Sequence, residues 1–210
     1  PFGRGLLHTY WAPNVWALYC FVDLALVKLT GISSASSSSL LSPSSGLQGI
    51  FMPTVLPAVS PTAALLLVLL AMLPALRLMW CAPSPKVLTH GAVYCSMCVF
   101  MFGYHVHEKA VLVPAVVLGL VAADSPMEAS LYVDLSMAAT HAQLPLLPDV
   151  RETPVKLALW LVSTLGSAAL LHHAVSASCW MRWFGTAMVH LGVSCMRDIL
   201  APLAASGALG

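Results

Sequence analysis

Apolar residues run through this chain in long continuous stretches, without the strict alternation of a half-buried strand. Positions 55–80, 87–104, 110–123, 131–147, 155–171 and 186–203 are dominated by Leu, Val, Ala, Met and aromatic side chains, and 15–29 is a weaker stretch carrying Asp23 and Lys28. A helical bilayer crossing takes about 20 apolar residues, whereas a membrane barrel shows short alternating segments. The pattern therefore predicts an all-α fold, a polytopic transmembrane helical bundle of about six or seven spans. The clearest span is 55–80, because 63–73 is unbroken apolar sequence; Pro57, Pro61 and Pro74 lie near its ends or inside it, where membrane helices tolerate them. The span 110–123 is short, and 131–147 is poor because it holds Asp134 and His141.

The polar stretches divide the chain. Residues 1–14 are amphipathic, with Arg4 and His8 interleaved with Phe2, Tyr10 and Trp11, and Pro13 suits the start of a helix. Residues 31–49 hold Ser33, Ser34, Ser36, Ser37, Ser38 and Ser39 with Pro43 and Gly46, which reads as a flexible loop within a single domain, 1–210. Arg77 and Lys86 bracket the most basic short loop, which the positive-inside rule places in the cytosol. The crossing 87–104 then delivers residues 105–109 to the luminal or extracellular side. Strict alternation puts Arg4 on the opposite face from 105–109, unless 15–29 or another weak segment is not a full crossing. His172, His173 and Arg182 mark a later loop, and Arg197 and Asp198 interrupt the last apolar stretch.

Composition agrees with this class. Of 210 residues, 59% are hydrophobic and 8% charged, with a mean hydropathy of +0.87; soluble domains hold about 25% charged residues. The net charge of +1 gives no sign of a nucleic-acid partner. Against that background the run Gly103-Tyr104-His105-Val106-His107-Glu108-Lys109-Ala110 is conspicuous, with four ionisable side chains in five residues. Ionisable groups at membrane depth cost roughly 2.5–3.5 kcal/mol each on insertion scales, so their clustering suggests a use.

Each candidate has a plainer reading beside it. Lys109 is a compact cation suited to a phosphate oxygen and His107 a ring N–H donor, but Glu108 and Lys109 also read as an interfacial ion pair ending two helices. Arg4 offers a planar fork for phosphate, or a headgroup anchor. Trp11 and Trp16 are sugar-stacking platforms or, more commonly, interface anchors. Cys95 and Cys98 have redox or metal spacing, yet inside an apolar helix they read as packing. His105 and His107 are two apart, which on a helix points them to different faces; no metal site and no cofactor are expected. Asp23, Asp134, His141 and Asp198 admit a rival reading as a transporter's proton relay, against which no internal repeat is visible.

Two segments carry a family resemblance. Pro1-Phe2-Gly3-Arg4-Gly5-Leu6 resembles the Pro-Phe-x-Arg-Gly-Leu signature of the endoplasmic-reticulum glucosyltransferases that act on the dolichol-linked oligosaccharide, and Val106-His107-Glu108-Lys109 resembles their Val-His-Glu-Lys motif. The residues after the first signature, His8-Thr9-Tyr10-Trp11-Ala12-Pro13-Asn14-Val15-Trp16, are similar to the branch that adds the second glucose, as are Thr54-Val55-Leu56-Pro57 and Ser60-Pro61. The serine tract and the Ala-rich C-terminus depart from the family pattern.

The resemblance implies part of a C-type glycosyltransferase fold, multi-pass in the endoplasmic-reticulum membrane. It implies transfer of glucose from dolichyl-phosphate glucose to a dolichyl-pyrophosphate oligosaccharide already carrying one glucose, forming an α-1,3 bond in protein N-glycosylation. The sister branch, adding the first glucose, is the alternative. The family's catalytic Asp lies upstream of Pro1, so the chain reads as a C-terminal fragment, inactive alone, with no catalytic base of its own. His107, Glu108, Lys109, Arg4 and His105 are then expected to bind the donor's phosphate and sugar, with membrane lipid around them.

Overall fold

Serine followed by proline starts three of the helices. Ser60 accepts the Ala63 N–H at 3.1 Å, Ser84 the Val87 N–H at 3.2 Å and Ser125 the Glu128 N–H at 3.3 Å. The following proline occupies the first turn, where its missing N–H costs nothing and its fixed φ suits the helix. A computed structural model of the protein describes residues 14–31, 53–144, 147, 150–171 and 185. Regular structure there is helical, with no strand among the described residues. The helices are α1 (Val15–Thr30), α2 (Pro61–Cys81), α3 (Pro85–Phe102), α4 (Leu112–Gly119), α5 (Pro126–Gln143) and α6 (Thr153–Leu170). Short 3-10 turns occupy Glu108–Val111 and Val150–Glu152. Arg4, the serine tract, His172, His173, Arg182, Asp198 and the stretch 186–203 lie outside the described residues.

Two helices, Pro61–Cys81 and Thr153–Leu170, are long and apolar enough to cross a membrane. Along α2, Leu65, Leu66, Leu69, Leu70 and Leu73 are exposed, and Trp80 is 87% exposed. A helix apolar all round and left uncovered is suited to hydrocarbon.

Several expected spans change. Helix α2 begins at Pro61, so 55–60, expected to be its first turns, is non-helical. The span expected at 110–123 contains only the eight-residue α4, about 12 Å of helix against a hydrocarbon core of about 30 Å. Its other residues lie in the 3-10 turn and in a turn at 120–123.

The chain divides into two compact units, Pro1–Pro114 and Ala115–Gly210. In the first, α2 and α3 form a hairpin that closes at Gly91, where a Cβ would fall on the Met79 thioether. Helix α1 is capped by Asn14, which accepts the Trp16 N–H at 3.2 Å, and ends at Gly31 with φ +67°, a left-handed value that glycine adopts without strain. Segment 53–60 then runs back along α1. Asp23 accepts N–H groups from Thr54, Val55 and Leu56, Tyr19 donates its hydroxyl to the Pro57 carbonyl at 2.7 Å, and Trp16, Cys20 and Ala64 form a small core with Val59 and Tyr104 packed on it.

In the second unit, Ala122, Ala129, Val133, Met137, Trp160, Ala168 and Leu171 form a core between the antiparallel helices α5 and α6. Hydroxyls stitch the pair: Thr140 meets Ser163 at 2.9 Å, and Ser136 lies 3.4 Å from Ser163 and 3.5 Å from Ser167. Small hydroxyl residues let helix backbones approach and bond across an apolar seam.

Two outcomes follow from these contacts. Gly91→Val should destabilise the full-length protein by about 1–3 kcal/mol through overpacking, and Met79→Ala should restore part of that, read as thermal stability in detergent. A double-mutant cycle of Thr140→Val and Ser163→Ala should show a coupling of about 0.6 kcal/mol, the usual size for such bonds in membrane bundles.

Candidate functional site

The site is built where α3 stops. Gly103 donates its N–H to the Val99 carbonyl at 2.9 Å, then leaves the helix at φ −60°, ψ 144°. An added Cβ there would stand 2.5 Å from the Val99 oxygen and 2.6 Å from Val106 Cγ2, so any side chain crowds the turn. The Gly103 carbonyl is taken by the Trp16 indole N–H at 2.7 Å. Tyr104 packs against the Trp16, Cys20 and Ala64 core. The first turn of α1 and the last turn of α3 therefore meet at one end of this unit.

From that anchor the chain runs non-helically to His107, and the 3-10 turn takes over at Glu108. The His105 and His107 rings meet edge to face, 5.3 Å between centroids and 83° between planes. The sequence reading placed them on different faces of a helix; the helix has already ended at Phe102, and that is why the rings touch. Glu108 is turned inward, 3% exposed, while His107 and Lys109 are exposed on either side of it. A carboxylate is rarely buried so fully, and here it sits between an outward imidazole and an outward ammonium. The arrangement presents an imidazole and an ammonium group toward the outside. It suits a phosphate oxygen or a sugar hydroxyl.

His105, His107, Glu108 and Lys109 are thus brought together in one short segment. Arg4, the fifth expected member, lies outside the described residues. The start of α1 lies at the same end of the first unit as Gly103, where the segment 105–109 begins. Trp16 touches Gly103 because 53–60 returns along α1 and lets α2 begin at the end where α1 began.

Trp16 and Asp23 make contacts other than those weighed from the sequence, and Tyr19 joins them. Trp16 was weighed as an interface anchor or sugar platform; it is 6% exposed and spends its N–H on Gly103. Asp23 was weighed as a member of a proton relay, and its partners are backbone N–H groups. Tyr19 carried no signal; only its spacing of four from Asp23, which sets both on one helix face, could have suggested it. Cys98 is buried and Cys95 half-buried in α3, both as free thiols. Among the described residues no group of three or more His, Cys, Asp or Glu is placed to hold a metal ion.

Residues 1–205 match the ALG6, ALG8 glycosyltransferase family. The chain belongs to that family. It is 38% identical over 178 residues to the dolichyl pyrophosphate Glc1Man9GlcNAc2 alpha-1,3-glucosyltransferase of Bos taurus, covering 81% of this chain and 33% of the relative. The protein of the same name from Mus musculus is also 38% identical over 178 residues, with the same coverage of each chain. That from Arabidopsis thaliana is 37% identical over 167 residues, 79% of this chain and 33% of its own. The chain thus spans about a third of the length of the curated relatives it matches. No solved structure matches it.

Gly103 gives a direct check on this geometry. At Gly91 the obstacle is a flexible thioether, whereas at Gly103 it includes a backbone carbonyl. Gly103→Ala should therefore lower thermal stability of the full-length protein more than Gly91→Ala, and it should raise amide exchange across 103–107.

Proposed function

We propose that the protein containing this chain transfers glucose from dolichyl-phosphate glucose to a dolichyl-pyrophosphate oligosaccharide already bearing one glucose, forming an α-1,3 bond with inversion in the endoplasmic-reticulum membrane. Family membership across 1–205, with relatives named for that transfer, is the observation that carries the reading. The finer fold proposed is a multi-pass bundle of the C-type class with residues 105–109 on the luminal side.

The chemistry assigns this chain a share of the work. As the acceptor hydroxyl attacks the glucose C1, the bond from C1 to the dolichyl-phosphate oxygen breaks and the hydroxyl proton passes to a base. Negative charge grows on the departing phosphate, and fixed donors aimed at it lower the barrier. Lys109 supplies a compact positive charge and His107 a ring N–H. His105, set edge to face on His107, holds that ring's orientation. Arg4, from the first signature, is the second cation proposed for the phosphate. Glu108, expected from the motif to meet the sugar, is turned inward, which leaves its two neighbours to face the substrate.

The transporter reading loses its first member. Asp23 has three of its acceptor positions filled by backbone N–H groups, which leaves it poorly placed to pass protons.

In the full-length enzyme, Lys109→Ala should lower glucose transfer from dolichyl-phosphate glucose by about 10²–10³-fold, the usual loss when one donor to developing charge is removed. Protein level in microsomes should stay normal; unchanged turnover would remove the cluster from the site. Cells lacking the protein should accumulate the lipid-linked precursor with one glucose. Accumulation of the precursor with none would assign the sister reaction.

A further inference from the structure

Helix α1 carries one carboxylate, Asp23, and it is 1% exposed. Its Oδ2 accepts the Thr54 N–H at 2.9 Å, while Oδ1 accepts the Val55 N–H at 2.9 Å and the Leu56 N–H at 2.7 Å. Three successive N–H groups aimed at one point make a concave anion cradle, and here its occupant is supplied by the protein. Pro57 follows; it has no N–H, and its carbonyl is held by Tyr19. Trp16, Tyr19 or Cys20, and Asp23 recur at helical spacing, so they share one face of α1. That face holds two segments distant in sequence, 53–60 and the turn at Gly103.

We propose that Asp23 is a positioning residue for the outward pair His107 and Lys109, acting through segment 54–57, the α1 face and the bond from Trp16 to Gly103; this rests on the glucosyl-transfer reading above. Removing the carboxylate leaves three part-buried N–H groups without their shared acceptor, which frees the segment packed beside Trp16 to move. Trp16 then loses the orientation that meets Gly103, and the His105–Lys109 turn loses its fixed start. Asp23 itself contacts neither substrate nor reacting atoms.

The test uses the full-length enzyme in microsomes, with Asp23→Asn, Asp23→Glu, Trp16→Phe and the Asp23→Asn/Trp16→Phe double variant. Asn keeps one acceptor oxygen but sets an amide NH₂ against the Thr54 N–H; Phe keeps the ring and removes the donor. Each single variant should lower kcat/KM for dolichyl-phosphate glucose about tenfold or more, mainly through kcat, as expected when donors to developing charge are misplaced, with acceptor KM unchanged, and Glu should fall between wild type and Asn. Because both changes break one chain of contacts, the double variant should be no worse than the poorer single. Effects that multiply, or donor kinetics like wild type, overturn the proposal.

Amide exchange reads the same chain without activity. Asp23→Asn should raise exchange at 53–60 and also at 103–107; a rise confined to 53–60 overturns the coupling. If Asp23 variants fail to accumulate, Trp16→Phe carries both measurements. Should Lys109→Ala keep full activity while these exchange changes occur, the phosphate-site reading fails and the tether stands.

Discussion

Three successive backbone N–H groups of a segment that belongs to no helix converge on a single carboxylate, and the arrangement of the first unit depends on it. Asp23 gathers the N–H groups of Thr54, Val55 and Leu56, none of which has a helix or strand to bond into. Hydrogen bonds to a charged group contribute about 1.5–3 kcal/mol each, and a buried carboxylate is costly unless it is hydrogen-bonded in this way.

The consequence is geometric. A segment returning along α1 lets α2 start at the end where α1 started, and the α2–α3 hairpin brings the chain back to that end. Gly103 arrives beside Trp16 and the indole N–H takes its carbonyl. The ionisable motif thus starts from a fixed point, with one backbone group clamped by a buried aromatic residue and the adjoining Tyr104 packed on the same core. Burial of Glu108 between exposed His107 and Lys109 then sorts the motif into an inner acid and outer donors. For a protein of the ALG6, ALG8 family, that sorting suits the proposed contact with an anionic lipid head.

Elsewhere the interactions are of a different kind. The α2–α3 hairpin closes through the absence of a side chain at Gly91, and the α5–α6 pair closes through hydroxyls on Ser136, Thr140, Ser163 and Ser167 around an apolar core. Both devices let helix backbones approach closely, one through a missing side chain and the other through hydroxyl contacts.

Much of this was legible along the chain. Long apolar runs dictated helices, because such runs satisfy their own backbone, and four ionisable residues at 105–109 stood out in a sequence with few charges. The helix edges were also written there, in Ser60-Pro61, Ser84-Pro85 and Ser125-Pro126, although hydropathy alone pulled them to Val55, Val87 and Leu131. Other features needed the tertiary structure. Hydropathy cannot distinguish the helical part of 55–80 from 55–60, since both are apolar, nor show that 110–123 holds only a short helix. It cannot reveal that Asp23 meets backbone rather than another side chain, or that Trp16 reaches Gly103, 87 positions away. Those pairings depend on which helix faces meet, and no single stretch of sequence contains both partners.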